Sequence, residues 1–242
     1  MAYISISTGG GMKIGIIGAG NIGSVLALRF GENGHDVRIA NSRGPASLAD
    51  IERQTGATAV EARDAVKDAD VVVVTIPQAK VPNLPNDLFA GVPASVVVID
   101  TGNYYPQQRD GRIEAIEKGT PESRWVEQQI GRPVVKAFNN IYADHLKTRG
   151  KPAGTPGRIA LPVAGDDAKA KAVVMKLVDE IGFDAVDAGE IDDSWRQQPA
   201  TPVYTGDFDA AGVRAALKNA DPVRKPEWRA TDGSPGTFER PA

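Results

Sequence analysis

The chain has 242 residues, enough for one large domain or for one domain with an appendage. Its 41% hydrophobic and 24% charged residues are ordinary for a globular enzyme, and a formal net charge of −3 argues against a protein that coats nucleic acid or an anionic membrane surface. Cysteine is absent, which excludes disulfides and thiolate chemistry. No apolar run approaches the roughly 20 residues of a membrane helix and no signal peptide is evident, so a cytoplasmic location is expected.

Residues 1–11, MAYISISTGGG, end in three glycines and precede a second methionine, Met12. We interpret them as an N-terminal extension outside the fold and assign them no function. Whether Met1 or Met12 is the natural start stays open.

From Met12 onward, apolar runs of strand length alternate with stretches of helical periodicity. Strands are predicted at 12–17, 36–40, 70–76, 95–100, 133–138, 158–164 and 183–187, and helices begin after the first strand and at about 46–55, 61–68, 121–130, 167–181 and 210–219. Most of the strands are apolar on both faces, as parallel strands covered by helices are. This alternation predicts an α/β fold of the Rossmann type, with a doubly wound, mainly parallel sheet.

The predicted Rossmann domain occupies residues 12–190. After Gly189 the sequence becomes polar, and prolines recur towards the end of the chain. We therefore predict a short C-terminal arm over 191–242, which packs on its own domain or on a partner, or stays mobile.

The turn after the first strand has the glycine pattern G-x-G-x-x-G. It follows a strand and opens a helix, the context in which this pattern binds a dinucleotide. The first glycine permits a tight turn, the second lets a pyrophosphate approach the backbone, and the third lets the helix pack close to the sheet, while N–H groups at the helix start face the anion. The predicted contacts are Gly18, Ala19, Gly20, Asn21, Ile22 and Gly23. The alternative is a structural turn without a ligand.

The second strand is followed by Asn41, Ser42 and Arg43, where NAD-binding proteins have an acidic residue. Asn41 is neutral, Ser42 offers a hydroxyl, and the Arg43 guanidinium can pair with a phosphate and stack on adenine. A charge-assisted hydrogen bond contributes about 1.5–3 kcal/mol, so NADP(H) is the predicted cofactor. The alternative is that Arg43 is a solvated surface arginine.

Further candidates follow three other predicted strands, at the carboxyl edge where such sheets bind ligands. They are Thr75, Ile76 and Pro77 beside the nicotinamide-side ribose, Asn103 after the next strand, and Ala137, Phe138 and Asn139 as a wall behind the nicotinamide ring. Each could instead belong to a loop that only turns the chain.

Acid–base groups are scarce. His35 is expected in solvent, away from the cleft, and His145 is expected at the cleft edge at most. The two histidines lack metal-ligand spacing, and Asp166-Asp167 is typical of a helix N-cap. We therefore assign no catalytic residue and expect no metal. Hydride transfer between two cofactors needs oriented approach and little proton chemistry, whereas carbonyl reduction needs a positioned proton donor.

The segments KIGIIGAGNIGSVLALRFGENGHDV, NSR, VVVTIP, VVKAFNNI and VAGDD…VVMKLVDEIGFDAVDAG occur in this order. Over residues 12–190 the chain thereby resembles the NADPH-dependent coenzyme F420 reductase family, and it is similar to the NADPH-binding domain of the six-transmembrane metalloreductases. The resemblance implies a homodimer with a flavin or deazaflavin acceptor (F420, FMN or FAD). It also implies that NADPH binds through residues 18–22, Ser42, Arg43, Ile76, Asn103 and 137–139.

After DAG the chain departs from that family, in which an apolar helix helps to form the acceptor site. The segment here, EIDDSWRQQPATPVYTGD, is polar and interrupted by Pro199, which leaves the acceptor open. One alternative function is reduction of a small imine or carbonyl, with His145 or a tyrosine as proton donor. Another is a non-enzymatic NADPH sensor whose arm contacts a partner.

Overall fold

The computed structural model describes residues 10–223 and 236–241. Its strands are β1 (Lys13–Ile17), β2 (Asp36–Ala40), β3 (Thr58–Ala59), β4 (Val71–Val74), β5 (Val97–Asp100), β6 (Val135–Lys136), β7 (Ala160–Val163) and β8 (Asp184–Asp187). Its α-helices are α1 (Asn21–Glu32), α2 (Ala49–Thr55), α3 (Ala62–Val66), α4 (Glu114–Glu117), α5 (Glu122–Ile130), α6 (Ala143–Thr148), α7 (Ala168–Glu180) and α8 (Ala210–Lys218). No helix in these ranges is long and apolar enough to cross a membrane.

The first six strands form one parallel sheet in the order β3-β2-β1-β4-β5-β6. This is the strand order of a Rossmann fold, which reverses between β1 and β4. Strands β7 and β8 pair in parallel, and an antiparallel bridge between Lys136 and Ala164 joins this pair to β6. The predicted doubly wound, mainly parallel sheet is therefore confirmed.

Helices cover both faces of the sheet, which is why its central strands are apolar throughout. All four valines of β4 are buried. On α7, Val174, Leu177 and Val178 recur at helical spacing and are fully buried. The Asp167 side chain caps this helix by accepting hydrogen bonds from the backbone N–H groups of Lys169 and Ala170, so the predicted N-cap is confirmed.

Some predicted elements differ from the structure in length. The predicted strand 36–40 matches β2 residue for residue, whereas the strands predicted at 70–76 and 133–138 are longer than β4 and β6. The apolar sequence continues there into the loops at the carboxyl edge, although strand pairing has already stopped. Sequence patterns also missed β3, which has two residues, and α6, in which only Leu146 is buried.

His35 is enclosed, contrary to the prediction of a solvated histidine. Its side chain is 5% exposed. Its Nδ1 accepts a hydrogen bond from the Met12 backbone N–H at 3.0 Å, and its Nε2 lies 3.1 Å from Glu180 Oε2. The ring also packs edge-on against Phe30. Its partners come from distant parts of the chain, so local sequence gave no sign of this packing.

The polar segment after residue 190 packs onto β7 and β8. A 3₁₀ turn, Ile191–Gln197, leads towards α8, whose Val213 and Leu217 join a buried cluster with Ala160 and Val186. Up to residue 220 the arm therefore lies on its own domain. The division of the chain at residue 190 stays a prediction. Residues 1–9 of the predicted extension, and residues 224–235 and 242 of the arm, lie outside the described residues.

Arg124 of α5 forms ion pairs with the start of this arm and with the loop that follows β7. Its Nε lies 2.7 Å from Asp192, its Nη2 lies 2.9 Å from Asp166, and its Nη1 lies 2.6 Å from Glu127. Hydrogen bonds to these carboxylates, led by that to Asp192, raise the pKa of Arg124. Its charge therefore stays fixed across the range in which proteins are folded.

Candidate functional site

The turn between β1 and α1 has a backbone conformation that requires glycine at two of its positions. Gly18 has a φ of +116°, and a Cβ placed on it would lie 2.2 Å from the Thr75 carbonyl oxygen. A Cβ on Gly23 would lie 2.0 Å from the Gly18 carbonyl oxygen. Helix α1 can therefore approach the sheet this closely only because both positions are glycine.

Gly20, the middle glycine, faces open space. A Cβ built there meets no atom within 4 Å, and the residue is exposed. Helix α1 begins here without a side-chain cap and without an acidic residue in its first turn, and its first backbone bond runs from Ser24 N–H to Gly20 O. The N–H groups of this first turn, which includes Asn21 and Ile22, are thus directed at an uncharged opening, and the cradle fits a pyrophosphate.

The loop after β2 is organised by Asn41. Its Oδ1 accepts a hydrogen bond from the Arg43 backbone N–H at 2.9 Å, and its Nδ2 donates to Ser47 Oγ at 2.9 Å. Gly44, with a φ of +82°, turns the chain into the next segment. Asn41 therefore shapes the loop and has little hydrogen-bonding capacity left for a ligand.

Ser42 and Arg43 occupy the tip of this loop, and both are exposed. Within residues 10–223 and 236–241, neither side chain takes part in a hydrogen bond or an ion pair. A guanidinium without a carboxylate partner next to the β1–α1 turn is suited to bind a phosphate.

The loop after β4 lies against the glycine turn. The Thr75 backbone N–H donates to Ile17 O at 2.8 Å, and the Thr75 methyl group is 2.9 Å from the Cβ position of Gly23. Ile76 is half-buried and packs against two hydrophobic clusters, and Pro77 precedes the 3₁₀ turn Gln78–Asn83. Thr75 and Ile76 therefore pack against the glycine turn, and the contact of all three residues with a nucleotide stays a prediction.

Asn103 and Asn139, which follow β5 and β6, contact each other. Asn139 Nδ2 lies 3.0 Å from Asn103 Oδ1, and Asn103 Nδ2 donates to Asn139 O at 2.9 Å. Gln197, from the 3₁₀ turn of the arm, completes the network, because its Nε2 donates to Asn139 Oδ1 at 3.0 Å. Local sequence patterns missed Gln197, which lies 58 positions from its partner.

Ala137 and Phe138 are wholly buried. Phe138 has a φ of 62°, and its ring packs edge-on against Phe30 inside the main core. Its side chain therefore points into the protein, and the backbone of this segment is enclosed as well. Whether it contacts a nicotinamide ring stays a prediction.

A buried ion pair supports the loop that holds Asn103. Lys136 Nζ lies 3.1 Å from Asp100 Oδ2, and both side chains are almost completely enclosed. Lys136 also donates to the Gly102 carbonyl oxygen, while Asp100 accepts from the Gly102 backbone N–H at 2.8 Å and from Ser123 Oγ at 2.6 Å. Asp100 and Lys136 are paired residues of adjacent strands. Opposite charges at the ends of two apolar runs were therefore the sequence signal for this pair.

We expect Lys136→Met to lower the free energy of unfolding by about 3–5 kcal/mol, because it leaves the Asp100 carboxylate buried without its partner. Urea denaturation measures the change. The control is Lys176→Met, which removes the ion pair of an exposed lysine with Glu180 and should change stability by less than about 1 kcal/mol. Equal effects of the two variants would contradict the role given to the buried pair.

His145, a weaker candidate, is held by α6 and by the arm. Its Nδ1 lies 2.6 Å from Asp207 Oδ2, which also lies 3.0 Å from Arg149 Nη1. The edge of the ring packs against Tyr142. Among the described residues, none of these partners belongs to the Asn103–Asn139–Gln197 network, and no three histidine, aspartate or glutamate side chains form a group that could hold a metal.

The structure thus brings most of the predicted site residues to one edge of the sheet. The glycine turn, the Asn41–Arg43 loop and Thr75 lie at the ends of β1, β2 and β4, and Asn103 and Asn139 lie at the ends of β5 and β6. The exception is the Phe138 ring, which lies in the core. That these residues contact a nucleotide stays a prediction.

The part of the chain that forms this edge of the sheet is similar to a known protein family. Residues 13–104, from β1 through β5, match the model of the family described as NADP oxidoreductase, coenzyme F420-dependent. Over 90 residues the chain is 48% identical to the Escherichia coli (strain K12) protein YjhV; this match spans 37% of the chain and 61% of YjhV.

Two solved structures extend the likeness beyond β5. A hypothetical protein from Sinorhizobium meliloti is 33% identical, with a TM-score of 0.67, over 80% of this chain and 93% of that one. A candidate F420-dependent NADP reductase from Arthrobacter sp. FB24 is 25% identical, with a TM-score of 0.61, over 76% of this chain and 88% of that one.

Proposed function

The chain belongs to the family described as NADP oxidoreductase, coenzyme F420-dependent, and on this premise we propose that it transfers a hydride between NADP(H) and a flavin or deazaflavin such as FMN, FAD or F420. The observation that carries the proposal is the combination of an open cradle at Gly20 with an exposed arginine, Arg43, that has no carboxylate partner among the described residues. The cradle accounts for the pyrophosphate that all nicotinamide dinucleotides share, and the arginine accounts for the 2′-phosphate that distinguishes NADP(H) from NAD(H).

Ser42 and Arg43 select NADPH over NADH in this proposal. The Arg43 guanidinium binds the 2′-phosphate, and the Ser42 hydroxyl donates a second hydrogen bond to it. Residue 41 is an asparagine, so this position carries no carboxylate that would repel the phosphate.

On the other side of the sheet reversal, the loops after β4, β5 and β6 hold the nicotinamide end. Bound NADPH supplies the hydride. The protein's own task is to hold donor and acceptor rings in contact and to exclude water. Thr75 and Ile76 line one side of the site for the nicotinamide ring, and the Asn103–Asn139–Gln197 network lines the other side.

NADPH oxidation by the purified protein tests the proposal, with F420, FMN, FAD and a cyclic imine as acceptors and NADH beside NADPH. Turnover with a flat acceptor, faster with NADPH than with NADH, is expected. Turnover with the imine alone would favour the small-substrate reductase. Tight NADPH binding without turnover on any acceptor would overturn the assignment and favour a sensor.

A homodimer and a cytoplasmic location also form part of the proposal. The support for the homodimer is the family resemblance, and the support for the location is the absence of cysteine together with the ordinary composition. Light scattering of the purified protein measures the oligomeric state.

A further inference from the structure

Two tyrosines that are far apart in sequence, one after β5 and one in the arm, contact each other near the loops that follow β5 and β6. The Tyr105 and Tyr204 hydroxyls are hydrogen-bonded to each other across 99 positions of sequence. Tyr105 follows Asn103 in the loop after β5. Tyr204 is held beside the loop after β6, because the backbone N–H of its neighbour Thr205 donates to Asn140 O at 2.8 Å. The pair therefore flanks the contact between Asn103 and Asn139.

The segment that delivers Tyr204 has an unusual backbone. Ala200, Thr205 and Asp207 have φ values of 65°, 57° and 49°, and none of them is glycine. Each such conformation costs about 1–3 kcal/mol and persists only where the surrounding structure enforces it, often at functional sites. A segment that only connected the 3₁₀ turn to α8 would have no need of this strain.

Tyr105 is fixed from its other side by Arg109. The guanidinium lies 5.2 Å from the centre of the Tyr105 ring, and its Nη2 donates to Asn103 O at 2.5 Å. Tyr105 is thus tied to the same loop as the proposed nicotinamide-side contact, and its hydroxyl position is set by both neighbours.

Both hydroxyls remain protonated at neutral pH, because burial raises the pKa of Tyr105 and of Tyr204. In the hydrogen bond between them one O–H donates and the other oxygen accepts. One hydroxyl proton is therefore left over, and within residues 10–223 and 236–241 neither hydroxyl has a further partner.

We propose that the Tyr105–Tyr204 pair donates this remaining hydrogen bond to the acceptor, at the ring carbonyl or nitrogen that gains negative charge when the hydride arrives. The inference rests on the proposed function and deepens it, since it requires an acceptor with such an atom, as flavins and deazaflavins have. The nicotinamide is oxidised as its C–H bond breaks with the electron pair, and the acceptor is reduced as the new bond forms. The tyrosines keep their protons, and a solvent proton later neutralises the product.

The test compares Tyr105→Phe and Tyr204→Phe with Tyr142→Phe, a control whose tyrosine is 55% exposed and lies near Tyr204, but whose hydroxyl makes no hydrogen bond to the pair among the described residues. For each variant, kcat and KM are measured with F420 and with FMN at saturating NADPH. The NADPH dissociation constant and the thermal midpoint report the integrity of the cofactor site and of the fold.

We expect kcat to fall about 10- to 100-fold in Tyr105→Phe and in Tyr204→Phe, because each change removes or misaligns one preorganised donor. KM and NADPH affinity should change little, and the control should behave as the wild type. The double variant should be no slower than the slower single variant, because the two hydroxyls act as a unit.

A wild-type kcat in both Tyr105→Phe and Tyr204→Phe would overturn the inference but not the proposed function. A loss of kcat that is matched by a loss of NADPH affinity and of stability would have the same consequence. A wild-type protein that reduces neither F420 nor FMN nor FAD would instead refute the proposed function, and the inference with it. The measurements on the wild-type protein therefore show whether the inference alone fails or the proposed function fails with it.

Discussion

Gly20→Ala is expected to weaken NADPH binding about a hundredfold while leaving the protein folded. The added methyl group meets no protein atom within 4 Å and the residue has a φ of −79°, so alanine fits the free protein. In the complex the methyl group occupies the space through which the pyrophosphate approaches the backbone. The loss of two charge-assisted hydrogen bonds of about 1.5 kcal/mol each accounts for the expected effect. Fluorescence titration with NADPH measures it.

Gly18→Ala is the comparison, because there the clash lies within the protein. Its Cβ would lie 2.2 Å from the Thr75 carbonyl oxygen at a φ of +116°. We expect this variant to lose about 3 kcal/mol of unfolding free energy, whereas Gly20→Ala should lose about 1 kcal/mol or less. A stable Gly20→Ala protein that binds NADPH as tightly as the wild type would show that no phosphate approaches this turn.

Arg43→Ala is expected to remove most of the preference for NADPH. The exposed guanidinium has no carboxylate partner among the described residues, so its removal costs the fold little. Without it the 2′-phosphate loses a charge-assisted bond, and the NADPH dissociation constant should rise about 10- to 100-fold, while that of NADH stays unchanged. Calorimetric titration with each dinucleotide gives the ratio.

Arg53→Ala is the matched control for that ratio. Arg53 is also an exposed arginine, on α2, and its ion pair with Asp50 lies within the same helix. Its removal changes the net charge by the same amount, so a general electrostatic effect would appear in both variants. A similar loss of NADPH affinity in Arg43→Ala and Arg53→Ala would contradict specific recognition by Arg43.

Local sequence was sufficient to locate the loops that the proposal assigns to the nucleotide. The three glycines, the end of β2 and the Asn41–Arg43 loop are contiguous or nearly so, and each has its effect through backbone conformation or formal charge. Such features can be interpreted without knowledge of what packs against them. The doubly wound, mainly parallel sheet followed from the alternation of strands and helices, because parallel strands need crossover helices.

The loops that the proposal assigns to the acceptor are held by contacts that no local pattern reports. Gln197 reaches Asn139 from the arm, and Tyr204 meets Tyr105 across 99 positions. Apart from the helix predicted at 210–219, the arm appeared as a polar segment with prolines, and polar composition does not tell a solvated loop from one that is buried by its partners. The orientation of Phe138 is equally hidden from local sequence, because an apolar residue at the end of a strand shows neither its positive φ nor the position of its ring in the core.

The measurement that tests the account most directly is a titration of the wild-type protein with NADPH and with NADH under the same conditions. The account predicts saturable binding of one NADPH per chain, at least about tenfold tighter than NADH, since one charge-assisted contact to the 2′-phosphate separates them. Equal affinities for the two dinucleotides, or no binding of either, would contradict it.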